Sequence, residues 1–240
     1  MPYLSLYSLS SSWLYIVLVV PAFILSLVAQ AKVKSTYSKM AKVRNTSGYT
    51  GAQAAAAVLR HYGIMNVRIE ETQGKLSDHF DPRHNVIRLS REVFYGTSIA
   101  AVGIACHEAG HAAQHAQSYA PIKVRNAIIP FCNIGSYLGL PIAFAGYFLG
   151  FEPLIIVGLG LYSLIAVFQL VTLPVEFNAS RRAVQVIDEN GLLRGEDEIN
   201  GAKKVLSAAA MTYVAALAVT LANLLRFVIL FLGRGRRNSR

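Results

Sequence analysis

Acidic residues are scarce in this chain, and long stretches carry no charge of either sign. Only 13 Asp and Glu stand against 23 Lys and Arg, and no acid occurs before Glu70. Charged residues make up 15% of the 240 positions, where a soluble domain carries about 25%. With 54% hydrophobic residues and a mean hydropathy of +0.41, a wholly soluble globule is excluded. Cysteine is nearly absent: Cys106 and Cys132 alone offer no disulfide framework. No Lys or Arg precedes the first apolar run, so the basic leader of a signal peptide is missing and a retained anchor is expected. The net charge of +10 is not arranged as an aromatic-interleaved basic patch. It flanks apolar runs, which points to anionic lipid headgroups and away from nucleic acid.

The charge-free runs are what the chain has in place of charge. Residues 13–29, 128–150, 153–175 and 205–225 each hold no Asp, Glu, Lys or Arg, and the last continues past Arg226 as another apolar stretch. A bilayer core takes about 20 apolar residues as a helix, so four membrane helices are expected. Lys32, Lys34, Lys39, Lys42 and Arg44 follow the first run, and Lys123 and Arg125 precede the second. Basic loops stay on the cytoplasmic side, which puts residues 32–127 and Glu176 in the cytoplasm and the turn at 150–153 outside. A fourth full span places the basic tail, residues 233–240, outside against the same rule, and its side stays open.

Residues 107–111 read His-Glu-Ala-Gly-His. Each helical residue advances about 100°, so His107 and His111 share one face and can chelate a single Zn²⁺ through neutral imidazoles. Glu108 then falls beside the metal, placed to take a proton from a water that zinc acidifies. The flanks suit a buried helix capped by Thr97 or Ser98. Ala109 and Gly110 are expected to leave room for metal and substrate backbone. A catalytic zinc needs a third protein ligand, and Glu176 is the candidate, the only acid between Glu152 and Asp188. Two other readings of it stay open: a partner for Arg181 or Arg182, or a first-turn carboxylate after Pro174. Ser180, one turn further on, is placed to hydrogen-bond a ligand.

Between the first two runs, residues 47–63 read as an Ala-rich helix ended by Gly63, with Thr50 as a candidate N-cap. Strand-like pieces follow at 67–71, 76–80 and 86–89, taken as a small antiparallel sheet. Residues 86–89 are the candidate edge strand for an extended substrate, or else an interior strand. His115 shares the face of His111 and reads as a supporting group. His79 and His84 flank the Asp81-Pro82 turn as solvated side chains. His79, His115 and Arg181 are the candidate oxyanion donors. Cys106 points about 100° away from His107 and reads as packing.

Beside the pentapeptide stand Leu-Ser-Asp-His-Phe-Asp-Pro-Arg at 76–83 and Asn-Val-Ile-Arg-Leu-Ser at 85–90. Gly-Thr-Ser-Ile-Ala-Ala-Val-Gly at 96–103 and Pro-Val-Glu-Phe-Asn-Ala-Ser-Arg-Arg-Ala at 174–183 complete the set. With these strings in this order, the chain resembles the bacterial YugP-type neutral zinc metallopeptidases over residues 12–232. More distantly it is similar to the HtpX and CAAX-prenyl-protease group. The resemblance implies an integral membrane enzyme with one zinc held by His107, His111 and Glu176, and with Glu108 as catalytic glutamate. The wider group often carries Asp four residues after the glutamate ligand, where this chain has Ser180.

The expected architecture is a mainly α membrane protein with a small α+β, zincin-like cytoplasmic part that carries the HExxH helix. Its divisions are a membrane anchor (1–31), the catalytic part (32–127) and a transmembrane hairpin (128–175). A third-ligand segment (176–204) and a final membrane helix with the basic tail (205–240) follow. The expected function is zinc-dependent endopeptidase action on protein or peptide substrates at the cytoplasmic face. A non-catalytic zinc scaffold or holdase is the alternative, against which an intact Glu108 speaks. A transporter would need the His/Glu cluster inside a span.

Overall fold

The computed structural model describes residues 13–235. Helix α1, Tyr15–Met40, opens with a π-helical turn at Tyr15–Val19. Helix α2 is Gly51–His61; strands β1 (Arg68–Thr72), β2 (His79–Asp81) and β3 (Val86–Ser90) follow. A single turn, α3 (Arg91–Phe94), leads to α4 (Ile99–Ala116). Three long helices complete the chain: α5 (Ala120–Leu149), α6 (Glu152–Glu189) and α7 (Gly195–Gly235). Helices α1, α5, α6 and α7 contain the four candidate membrane spans, and α4 is not among them. Residues 236–240 of the basic tail lie outside the described residues.

The chain divides into two compact units. One comprises residues 30–123 and 173–211, and its core is rich in alanine. Thr50 starts α2 with a reciprocal cap: its hydroxyl accepts from Gln53 N–H at 3.3 Å while the Gln53 side chain accepts from Thr50 N–H at 3.0 Å. Ala54, Ala55 and Val58 of α2 pack with Val102, Ala105 and Cys106 of α4, and with Val186 and Ile187 of α6. Small side chains let these helices approach closely. A Cβ on Gly110 would stand 2.7 Å from the Ala179 carbonyl oxygen of α6, and one on Gly51 would stand 2.2 Å from the Val93 carbonyl oxygen. The room expected at Ala109 and Gly110 is therefore filled by protein: Ala109 is fully buried in the core and Gly110 seats the backbone of α6.

The sheet has the order β1-β3-β2 and is mixed, not antiparallel throughout. β1 runs parallel to β3, with Arg68 opposite Val86 and Thr72 opposite Ser90. β2 runs antiparallel to β3, with Phe80 opposite Ile87. The turn between β2 and β3 is built by Asp81, whose side chain accepts from Arg83 N–H at 3.0 Å; Asn85 takes a positive φ of 50°. That turn uses one edge of β3, so β1 joins the other edge. β3 is thus the central strand, and Val86, Ile87, Leu89 and Ser90 are all buried. Burial on both faces explains its mostly apolar character, interrupted by Arg88 and ended by Ser90. The expectation of 86–89 as a substrate edge is corrected: β2 is the edge strand on the side of α4.

The second unit comprises residues 13–29, 124–172 and 212–235 of the described chain. Its cluster is built from Ala143, Ile155, Leu159, Phe227 and Phe231. Glycines set the approach of α5 to α6: a Cβ on Gly139 would lie 2.7 Å from Tyr162 N, and one on Gly158 would lie 2.3 Å from Ala143 N. Small residues at such contacts are how membrane helices pack without a hydrophobic drive between them.

Candidate metal centre

Ser98 begins α4 by accepting Ala101 N–H on its hydroxyl at 3.1 Å, and the helix runs unbroken through the pentapeptide to Ala116. The His107 and His111 rings lie 4.7 Å apart, centre to centre. Helix α6 continues through Pro174, so Glu176 sits in mid-helix, which removes its reading as a first-turn carboxylate. Glu176 Oε2 stands 3.3 Å from His107 Nε2 and 3.7 Å from His111 Nε2. One donor atom from each of the three residues falls within 4.8 Å of the others.

The histidines are oriented from behind. His107 Nδ1 faces the Ser180 hydroxyl at 3.2 Å, and His111 Nδ1 faces Gln114 Oε1 at 3.0 Å. With each Nδ1–H donated to a protein oxygen, each Nε2 keeps its lone pair for the space in front of Glu176. Gln114 is wholly buried. Its Nε2 donates to the Val175 carbonyl at 2.8 Å and to Asn178 Oδ1 at 3.0 Å, tying α4 to α6. Arg182 extends the line, donating to Asn178 Oδ1 at 2.8 Å and to Gln117 Oε1 at 2.6 Å. Its guanidinium lies over the rings of Tyr62 and Tyr119 at 5.4 and 6.0 Å. Arg182 thus serves Asn178 rather than Glu176.

This donor set fits zinc. Two imidazole nitrogens and one carboxylate oxygen form a His₂Glu set, and ligands about 2.0–2.1 Å from a tetrahedral ion lie about 3.4 Å from one another. The His–Glu separations bracket that spacing. The local field also favours a cation. Burial pushes the His111 pKa down, but the Glu176 hydrogen bond and the Glu108 charge push it up further, for a net rise.

Glu108 lies beside the cluster. Burial raises its pKa, with the two imidazoles opposing and Glu176 and Asp78 adding to the rise. The Phe80 N–H of β2 donates to Glu108 Oε2 at 3.0 Å. β2 is in turn anchored by Asp78, whose carboxylate accepts from Ser90 N–H at 2.7 Å and from its hydroxyl at 3.0 Å. His115 is exposed, with its ring centre 5.8 Å from that of Phe80. His79 is also exposed and turns Nδ1 to the Ser77 carbonyl at 2.7 Å. Arg181 is exposed on α6. None of these three joins the metal-ligating group found among the described residues. His84 is not simply solvated, since it meets Asp81 Oδ2 at 2.6 Å alongside Arg88 at 2.8 Å.

Gln114, Asn178 and the Phe80 backbone are the site groups that the sequence reading missed. Gln114 had a visible signal: a polar side chain three residues after His111, within the run Ala112-Ala113-Gln114.

The model of a family described as "Putative neutral zinc metallopeptidase" matches residues 15–232. The chain belongs to this family. It is 48% identical over 219 residues to the "Putative membrane protease YugP" of Bacillus subtilis (strain 168), an alignment covering 91% of this chain and 97% of that protein. No solved structure matches the chain. Zinc is the family's metal, and among the described residues His107, His111 and Glu176 form a group that could hold it.

Proposed function

We propose that the chain is a membrane-embedded zinc endopeptidase whose site faces the cytoplasm. The observation that carries this reading is the convergence of His107, His111 and Glu176 from α4 and α6, with Glu108 beside them. His107 Nε2, His111 Nε2 and Glu176 Oε2 are the zinc ligands. When bound, zinc supplies Lewis acidity, polarising the scissile carbonyl and lowering the pKa of water toward neutrality. Glu108 takes the proton of the attacking water on one carboxylate oxygen and returns it to the leaving amine nitrogen. Burial pushes its pKa upward, the direction that makes a carboxylate a stronger base toward the attacking water. The Phe80 N–H steadies Oε2 and leaves Oε1 for the proton.

Substrate enters as an extended strand along β2. Since Phe80 N–H points away from β3, the Phe80 carbonyl shares that outer edge and can accept an N–H from a peptide backbone. The cytoplasmic side follows from the basic residues between α1 and α5, and the lipid bilayer from the four apolar helices. The whole zincin-like part, residues 32–127 with the ligand segment 176–204, then works at the membrane surface.

The test is metal content and casein cleavage by the purified full chain. About one zinc per chain is expected, with cleavage lost on chelation and restored by zinc. Cleavage that survives complete removal of zinc overturns the reading. Cysteine labelling from outside should reach the 150–153 turn and miss positions 35–120 and 178–200; labelling of the latter reverses the orientation.

A further inference from the structure

Two stripes that take no part in the metal cluster face each other across a groove of about 650 Å³ between α1 and α7. Both follow helical spacing: Lys32, Thr36 and Lys39 on α1, and Asn200, Lys203, Lys204 and Ser207 on α7. Four lysines line the groove and no carboxylate does. The ion pairs found among the described residues do not involve any of these four. Ser35, Thr36 and Ser207 add hydroxyls, while Met40, Ala208 and Met211 form an apolar floor. Such a lining suits a ligand with an anionic head and an apolar base.

The position along the helices identifies the class of ligand. The charge-free run of α1 ends at Lys32, and that of α7 begins just after Lys204. The helices meet at the polar end, where a Cβ on Gly201 would stand 3.0 Å from Met40 Sδ. From there the groove runs toward Lys32, at the end of the α1 run, and Met211, inside the α7 run. This is the level at which a span meets lipid headgroups, and juxtamembrane lysines there attract anionic lipids.

We propose that this groove is a binding site for an anionic phospholipid. The lysines surround its phosphate, the hydroxyl of Ser207 donates to a headgroup oxygen, and the glycerol rests on Ala208 and Met211. A compact ammonium on a flexible stem suits a phosphodiester approached from several sides. The bound lipid fixes the depth at which α1 and α7 leave the bilayer.

The experiment uses the full chain in neutral detergent, titrated with short-chain phosphatidylglycerol, phosphatidylcholine or inorganic phosphate. Two double variants remove equal charge. Lys39→Gln with Lys203→Gln strips the groove, whereas Lys34→Gln with Lys42→Gln alters lysines that do not line it. The groove pair should weaken phosphatidylglycerol binding by about tenfold or more, the control pair by less than about twofold, and inorganic phosphate should not displace the lipid. Equal weakening by both pairs would mean diffuse surface attraction and overturns the site. Equal binding of phosphatidylcholine, or displacement by phosphate alone, overturns the lipid assignment. If the groove pair does not fold, Ser207→Cys carrying a polarity-sensitive fluorophore replaces it, because Cys106 and Cys132 are buried. Its emission should respond to phosphatidylglycerol and not to phosphatidylcholine; no response to either overturns the proposal.

Discussion

The two units of this chain bury opposite things. In residues 30–123 and 173–211, large apolar side chains such as Ile87, Leu89, Ile187 and Leu192 are almost wholly hidden. In residues 13–29, 124–172 and 212–235, comparable side chains face outward: Tyr137 is 78% exposed, Phe148 82% and Phe131 61%. Outward aromatic and aliphatic groups are costly in water and natural in lipid. The cohesive contacts differ too. The first unit is joined at its centre by directional hydrogen bonds through Ser180, Gln114 and Asn178, the second by glycines that bring helix backbones together. One unit is therefore sensitive to what an atom donates or accepts, and the other to how much space it takes.

The largest effect expected from this contrast is chemical and leaves the fold intact. Glu108→Gln keeps the shape but cannot hold a proton, so kcat/KM for casein should fall by about 10²–10⁴. Zinc content should stay at the wild-type level. Loss of metal in this variant would show that Glu108 is a ligand and that its role has been misread.

Next in size is the hydrogen-bonded support of His111. Gln114→Leu is close in volume but removes both the acceptor for His111 Nδ1 and the donor to the Val175 carbonyl. Zinc affinity should drop by about 10–100-fold, the usual cost of losing such a partner. A chelator-competition titration measures this. Unchanged affinity would mean that the amide merely fills the core.

How far these features could be read from the chain alone depends on whether their cause is local. The metal face of α4 was legible because helical spacing alone brings His107 and His111 together. Glu176 stood out because a lone carboxylate beside a long apolar run needs a cation, although the run itself does not say which one. Gln114 was not legible as a support, since its partners His111, Val175 and Asn178 come together only when α4 meets α6. Gly110 was misread for the same reason, its neighbour being the Ala179 carbonyl some 70 residues away in sequence. The sheet was misjudged because strand order and the parallel pairing of β1 with β3 are set by tertiary packing and leave no local turn signal. The membrane helices were legible from their charge-free runs, though not that α6 continues from the third run through Glu176 to Glu189.

The steric side of the comparison has a built-in control within one helix pair. A side chain at Gly139 meets the backbone of Tyr162, whereas one at Gly160 meets nothing within 4 Å. Gly139→Leu should cost about 1–3 kcal/mol through overpacking and lower the unfolding temperature in detergent, while Gly160→Leu should leave it unchanged or slightly raised. Equal effects at the two positions would show that glycine contributes through helix propensity and not through close approach.

The smallest expected effect lies at the turn that sets β2 beside Glu108. Asp81 accepts from His84 and Arg88, and these partners hold its carboxyl well below the usual carboxylate range. A depressed folded-state pKa contributes stability that is present above the unfolded value of 3.8 and disappears as pH falls through the folded one. Asp81→Asn should therefore lower the unfolding midpoint slightly at pH 7. The gap to wild type should narrow as the medium becomes more acidic than the ordinary carboxylate pKa. A gap independent of pH would assign the effect to the turn's backbone hydrogen bonds to Arg83 and His84, which an amide oxygen also accepts. Because the same turn carries Phe80 toward Glu108, casein cleavage at pH 7 should fall together with the midpoint if β2 is displaced, and remain at the wild-type rate if only the charge pair is lost.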